Sequence, residues 1–269
     1  GHGNFGSIDF AQPAQMRYCI TGETLVNTEK GLIRIDQLSD KENINIKILS
    51  KDRIINSASK WFDSDEHPTL KLMTNRGYHL QGSFNHPILI LTKNEFGKPQ
   101  LIWKRLDQIK IGDFAVLDRT ENVLWPKRTN LIKYFPQIEN KRVEIKILPS
   151  FMTEELAHLL GAIVAEGRVH EKEIEFCNSD FEWIKLFQTK WKKVFPDCRL
   201  HIFNKKPSSY GKKDYQTIEI HSTHVLKFLQ NLGLKPSNAY DRIVPEIIFK
   251  SSKKIVAEFL KSYFEGDGS

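Results

Sequence analysis

Cys19-Ile20-Thr21-Gly22-Glu23-Thr24-Leu25-Val26 places a cysteine ahead of a small-residue turn that feeds a β-like run. The same texture continues to about Asp118. Short apolar and β-branched runs occur at Thr24–Val26, Ile44–Leu49, Thr69–Met73, His86–Leu91 and Phe114–Leu117. Turn residues at Gly31, Asn75-Arg76-Gly77 and Ile111-Gly112-Asp113 separate them. No long segment has a period of about 3.6 residues, apart from a turn of helix expected at Ile35–Leu38 and another at Trp103–Ile109. Residues 19–118 are therefore expected to form an all-β domain. The Gly-rich residues 1–18 before them do not read as a packed element.

Beyond this domain the texture changes. Residues 119–152 read as a mixed, basic linker containing Trp125-Pro126-Lys127-Arg128. Thr153-Glu154-Glu155 is an N-cap with acidic first-turn residues, leading into apolar Leu156–Ala165. Strands are expected at Glu173–Cys177, Leu200–Phe203 and Thr217–Ile220, and helices at Phe181–Phe195, Ser222–Leu232 and Ser252–Phe264. That order predicts an α+β domain over residues 153–269. The chain of 269 residues is thus expected to be multi-domain.

Composition narrows the class. Hydrophobic residues make up 40% and aromatics 11%, as in ordinary globular proteins. No apolar run approaches the roughly 20 residues a membrane helix needs, so no membrane partner is expected. Gly1 to Phe10 lack the basic and apolar regions of a secretory signal. Cys19, Cys177 and Cys198 are too few and too scattered for a disulfide framework or a zinc site, which favours a cytoplasmic location. The last two cysteines read as structural. The net charge of +7 is uneven: residues 1–118 hold 15 basic and 14 acidic side chains, residues 119–269 hold 25 and 19. Clusters at Lys190, Lys192, Lys193 and at Lys205, Lys206, Lys212, Lys213 are what phosphate binding requires, though many basic domains are merely soluble.

A lone cysteine such as Cys19 is more often a buried apolar filler than a nucleophile. A second signal is Gly82-Ser83-Phe84-Asn85-His86-Pro87, which sets a hydroxyl, an amide and an imidazole within four residues of a turn. Such a group can hydrogen-bond a peptide carbonyl and pass a proton to a leaving nitrogen. The plainer reading of His86 is a turn histidine.

Together the two segments resemble an intein. Cys19 to Val26 is similar to the first intein block and Gly82 to Pro87 to the second, whose usual Thr-x-x-His appears here with Ser83 in place of Thr. Leu101-Ile102-Trp103-Lys104 and Ile111-Gly112-Asp113-Phe114-Ala115-Val116 resemble later strands of the same splicing domain, particularly in inteins of bacterial gyrase A subunits. Gly1-His2-Gly3-Asn4-Phe5-Gly6-Ser7 and Met16-Arg17-Tyr18 resemble the host stretch that ends at the DNA-cleaving tyrosine, so residues 1–18 are expected to be N-terminal host flank. The resemblance implies a horseshoe-shaped Hint fold and a scissile bond between Tyr18 and Cys19. By the same resemblance Cys19 is the nucleophile, His86 the proton donor, and Ser83 and Asn85 orient the bond; no cofactor is needed. The closing His-Asn-Thr of an intein is not found up to Ser269, so a C-terminal intein part, in cis or as a separate chain, is the expected partner.

Leu159-Leu160-Gly161-Ala162-Ile163-Val164-Ala165-Glu166-Gly167 and Leu260-Lys261-Ser262-Tyr263-Phe264-Glu265-Gly266-Asp267-Gly268 share one pattern. Each is an apolar helix with small residues four apart, then an acid and a glycine. The small pairs, Gly161 with Ala165 and Ser262 with Gly266, share a face and let two helices approach closely. Glu166 and Asp267 then end side by side, where paired carboxylates attract a divalent metal. A C-cap is the plain reading of one copy; two copies argue for more. The pair resembles the LAGLIDADG motif of homing endonucleases often inserted in inteins. It implies Mg²⁺ held by Glu166 and Asp267, double-stranded DNA as partner, and a strand saddle including Thr217–Ile220. Lys192, Lys193, Lys205, Lys206, Lys212 and Lys213 are candidate DNA contacts. Arg242-Ile243-Val244-Pro245-Glu246 resembles the family's Lys-x-Ile-Pro block, with Arg242 as a poorer proton carrier than Lys. Because the second motif ends the sequence, the endonuclease is expected to be incomplete and inactive alone.

The sequence thus reads as the N-terminal part of an intein that starts splicing out of the A subunit of a type II topoisomerase and carries an endonuclease insertion. The alternatives are a free-standing LAGLIDADG DNA-binding or DNA-cleaving protein, and a topoisomerase fragment.

Overall fold

A computed structural model of the chain describes residues 5–8, 18–119, 124–207, 213–236 and 241–267, with only backbone for 5–8 and Asp267. It divides between Trp125 and Pro126 into two compact units. Most of residues 1–18, expected to be host flank, and Lys212 lie outside the described residues.

The first unit is built of strands and short 3₁₀ turns. Its strands are β1 (Phe5–Ile8), β2 (Ile20–Thr21), β3 (Leu25–Thr28), β4 (Gly31–Arg34), β5 (Asn43–Leu49), β6 (Ile55–Asp63), β7 (Leu70–Met73), β8 (His79–Gly82), β9 (Pro87–Lys93), β10 (Pro99–Arg105) and β11 (Phe114–Ala115). The first eight form one sheet in the order β4-β3-β5-β6-β1-β2-β8-β7, and the last three another, β10-β9-β11. In β5 the period of two buries Ile46 and Ile48 against Ile33, Leu38 and Ala58, while Asn43, Asn45 and Lys47 face water.

Two expectations change here. The turn of helix at Trp103–Ile109 is only a 3₁₀ turn, Leu106–Gln108, because Trp103 to Arg105 still pair with β9. The flank expected to lack a packed element contributes β1, with Gly6 opposite both Ile20 and Asp63. Ladder bonds use only the backbone, and a four-residue strand such as Phe5–Ile8, beside Gly1, Gly3 and Gly6, is too short to show a period in the sequence.

The second unit contains helices α1 (Glu154–Glu166), α2 (Phe181–Val194), α3 (Thr223–Asn231), α4 (Glu246–Phe249) and α5 (Lys253–Asp267). Strands β12 (Gly167–Val169), β13 (Ile174–Asn178), β14 (His201–Lys205) and β15 (Tyr215–Ile220) form an antiparallel sheet in the order β12-β13-β15-β14. Helices α1, α2 and α3 each start on a side-chain cap: Thr153 accepts from the Leu156 N–H, Asp180 from Glu182 and Trp183, and Ser222 from Val225. One face of the sheet (Ile174, Phe176, Ile218, Ile220) buries against Leu160 and Ile163 of α1 and Phe187 and Trp191 of α2. Among the described residues no helix is long and apolar enough to cross a membrane.

The stretch from Pro126 to Met152, expected as linker, lies within this unit. Leu131 and Met152 sit in its core, Thr129 Oγ1 donates to the Lys250 carbonyl at 2.7 Å, and the Lys146 N–H donates to His224 Nδ1 at 2.9 Å. An irregular segment of this kind shows no period and so reads as linker.

Helix α1 lies against α5 through the small residues. A Cβ on Gly161 would stand 2.5 Å from the Phe259 carbonyl oxygen, which is inside van der Waals contact. Buried Ser262 donates to the His158 carbonyl at 2.8 Å, and His158 Nδ1 and Lys190 Nζ each lie 3.0 Å from Glu258 Oε1. Burial lowers the pKa of His158, so its imidazole is favoured neutral. Replacing Gly161 by Ala should force the two backbones apart and lower the stability of this unit by about 1–3 kcal/mol, read as the urea midpoint. An unchanged midpoint would mean that the contact is loose.

Candidate functional site

Strands β2 and β8 bring the two junction segments together. Ile20 pairs with Gly82, and the Ser83 N–H donates to the Cys19 carbonyl at 2.9 Å. A Cβ at Gly82 would meet that same carbonyl oxygen at 2.5 Å, so only glycine permits the approach. Cys19 is 3% exposed, whereas Tyr18 before it is 42% exposed. The Cys19 amide N–H donates to Ser83 Oγ at 3.1 Å, and Ser83 Oγ in turn donates to Asn85 Oδ1 at 2.7 Å. The His86 N–H closes the turn on the Ser83 carbonyl at 3.0 Å. The turn is anchored from the other side, since Leu106 and Asp107 donate to the carbonyls of His86 and Phe84.

Burial pushes the His86 pKa down from 6.5 to about 4, leaving a neutral imidazole at neutral pH. Its Nδ1 is buried without a hydrogen-bond partner among the described residues. Cys19, Ser83, Asn85 and His86 thus gather at one place, with Tyr18 at its edge. A further contact has no signature in the sequence: Cys19 Sγ donates to Ser64 Oγ at 3.3 Å.

In the second unit Glu166 is the last residue of α1, and Gly167 carries the chain straight into β12. A Cβ on Gly266 would lie 2.6 Å from Ala165 Cβ and 3.1 Å from Glu166 Cγ, so the last turn of α5 abuts the half-buried Glu166. The Asp267 backbone follows directly; its side chain and Gly268 lie outside the described atoms. Arg242 grips this corner. One guanidinium nitrogen donates to the carbonyls of Val164, at 2.9 Å, and of Ala165, and the other to Gly167 at 2.9 Å. These are carbonyls at the end of a helix that lacks intrahelical partners there, and a planar fork suits them. The contacts described for Arg242 are those of a helix cap.

The candidate DNA-binding lysines do not share a face. Lys192 and Lys193 lie in the last turn of α2, on the helical layer, where Lys193 is 3.5 Å from Glu155. Lys205 is opposite Tyr215 on the open sheet face, and Lys206 and Lys213 are exposed beyond the strand ends. That open face also carries Glu175 and Glu219, paired across β13 and β15, with His201 opposite Glu219. Glu173, Glu219 and His221 converge within 4.8 Å of one another, a cluster not anticipated from the sequence because it joins distant segments. His221 already faces both acids, at 3.4 Å from Glu173 and 3.1 Å from Glu219. Cys177 and Cys198 are free thiols, and burial raises the pKa of each.

Two outcomes follow from these environments. A histidine held below its unfolded pKa adds stability above about pH 6.5 that is lost as pH falls toward 4. His86→Gln should therefore flatten the pH dependence of first-unit stability between pH 7 and 4 by about 1–3 kcal/mol, measured by urea unfolding at each pH. Arg242→Ala should destabilise the second unit by about 1–3 kcal/mol, with Arg242→Lys recovering only part in the same measurement.

No protein-family profile matches the chain. Over its whole length it is similar to the A subunit of DNA gyrase from Mycolicibacterium flavescens, 32% identical over 276 aligned positions that cover 45% of that protein. The corresponding gyrase chain of Mycobacterium kansasii is 29% identical over the whole of this chain, which covers 46% of it. The Replication factor C small subunit of Methanocaldococcus jannaschii is 26% identical over 96% of this chain and 13% of that protein. The chain spans about half the length of the gyrase relatives it matches, and its similarity to these gyrase A chains is modest but runs along the whole sequence.

Proposed function

We propose that this chain is the N-terminal part of an intein, set in a gyrase A-type host, that performs an N-to-S acyl shift at the Tyr18–Cys19 bond. The observation that carries this reading is the buried Cys19 whose own amide N–H rests on Ser83 Oγ at 3.1 Å. In the shift a bond forms between Cys19 Sγ and the Tyr18 carbonyl carbon, and the bond from that carbon to the Cys19 nitrogen breaks. The thiol proton ends on the freed amine. Neutral His86 can take up the thiol proton, and because burial disfavours its charged form it gives that proton up readily to the nitrogen. Ser83, oriented by Asn85, holds the leaving nitrogen. Tyr18, which resembles the host nucleophile, serves here only as acyl donor.

Two further observations support the reading. The same stretch is similar to parts of proteins named for different tasks, one a DNA gyrase chain and one a replication factor chain, as expected of an element inserted into hosts. The second sheet also exposes an apolar row, since Leu101, Leu91 and Phe114 are cross-strand neighbours and all exposed. Such a row calls for cover, and the C-terminal intein part is the occupant we assign to it; the gyrase relatives extend well beyond the matched stretch.

For the second unit we propose part of a LAGLIDADG endonuclease acting on double-stranded DNA. The abutting ends of α1 and α5 fit a hard cation, with Glu166 and Asp267 as the residues that would hold Mg²⁺. Bound there, Mg²⁺ would supply charge neutralisation at a phosphodiester. Arg242 keeps the α1 end, and with it Glu166, in place.

Incubating the folded chain with a strong thiol should release residues 1–18 as a thioester, seen by mass spectrometry, and Cys19→Ala should abolish release. Intact mass after prolonged incubation of a verified fold would favour the free-standing endonuclease. DNA relaxation by the chain would favour the topoisomerase fragment.

A further inference from the structure

We propose that Ser64 is a positioning residue for the Cys19 sulfur, accepting its S–H at rest and donating to it once the proton has left. The inference rests on the acyl-shift reading above and adds a residue that no part of the junction motif contains. Its basis is the 3.3 Å contact from Cys19 Sγ to Ser64 Oγ. The cysteine is 3% exposed, so water cannot easily take over this contact. Charge forming on an enclosed sulfur needs a donor in place of solvent.

Local geometry places Ser64 for this task. It follows the last residue of β6, and the next residue, Asp65, has φ +55° while its N–H donates to Asp63 Oδ1 at 3.1 Å. Aspartate tolerates the left-handed region, and this short side-chain turn sets the course of the chain directly after Ser64. A hydroxyl is suited to the site because it both accepts and donates without titrating. Two serines then bracket one residue: Ser83 Oγ lies on the Cys19 nitrogen, the leaving group, and Ser64 Oγ on its sulfur, the nucleophile. Ser64 keeps its own proton throughout; the thiol proton goes to the Cys19 nitrogen. What Ser64 supplies is a fixed sulfur and a hydrogen bond that strengthens as negative charge appears.

The test compares wild type, Ser64→Ala and Ser64→Thr in the release of residues 1–18 by dithiothreitol, over a range of thiol concentrations, with urea midpoints measured in parallel. Ser64→Ala should lower the maximal release rate by about tenfold, the loss of one hydrogen bond to a developing charge. The thiol concentration for half-maximal rate should not rise, because the external thiol acts only after the shift. Ser64→Thr should recover most of the rate. Wild-type rates in Ser64→Ala would overturn the inference and leave the acyl shift standing. Equal losses in both variants with lowered urea midpoints would show a structural role and overturn it too. No release from the wild type would remove the acyl shift itself, and this inference with it.

Discussion

The contact between the chain at Cys19 and the chain at Gly82-Ser83 is the constraint on which the arrangement of Cys19, Ser83, Asn85 and His86 depends. The Ser83 N–H reaches the Cys19 carbonyl at 2.9 Å, and Gly82 leaves no room for a side chain beside the same oxygen. Backbone groups removed from water need partners, so this pairing fixes the path of β2 along β8 rather than merely favouring it. The rest follows from the register. With Cys19 opposite Ser83, the hydroxyl falls on the amide nitrogen, Asn85 falls on the hydroxyl, and the turn holds His86 beside them. The thiol is thereby withdrawn from solvent, while Tyr18 remains outside.

The second unit relies on the same device in helical form. Gly161 brings α1 against the Phe259 carbonyl, and Gly266 brings the end of α5 against Ala165. Helices that approach this closely are locked in rotation, so the acid that ends one is carried beside the end of the other. Arg242 then satisfies carbonyls at the α1 terminus that the helix itself leaves open. Both units thus place polar chemistry at a point where two backbones are too close for a side chain to intervene.

Burial sets the protonation of the enclosed imidazoles in one direction. His86, His158 and His224 all have lowered pKa values, with desolvation as the leading cause in each. For His158 and His224 neutrality serves packing, since each has a ring nitrogen engaged by a neighbour. His86 Nδ1 and His158 Nε2 are each buried without a hydrogen-bond partner among the described residues, and of the two only His86 lies in the turn beside Cys19. The lysines are arranged differently. They divide between the helical layer and the sheet, and the open sheet face mixes them with glutamates, so net charge alone does not describe a DNA-binding surface here.

Local signals in the sequence specified much of the local structure, though not the strand end at Trp103–Arg105. Thr153, Asp180 and Ser222 cap their helices because a short side-chain oxygen just upstream of an apolar run can do little else so well. The alternation of Ile44, Ile46 and Ile48 is a strand with one buried face, and the spacing of Gly161 with Ala165 is a helix surface made for close contact. Cys19 and the Ser83-to-His86 turn stood out in the sequence because their residue types are unusual in combination, and the structure brings the two segments together. What the tertiary structure alone decided are the meetings of distant segments. Ser64 reaches Cys19 across 45 residues and Arg242 reaches Val164 across 78. Leu131 is drawn into a core from a stretch with no period, and the short segment Phe5–Ile8 is drawn into a sheet by its backbone. Such contacts depend on where two elements cross in space, and neither spacing nor composition within a short window records that crossing.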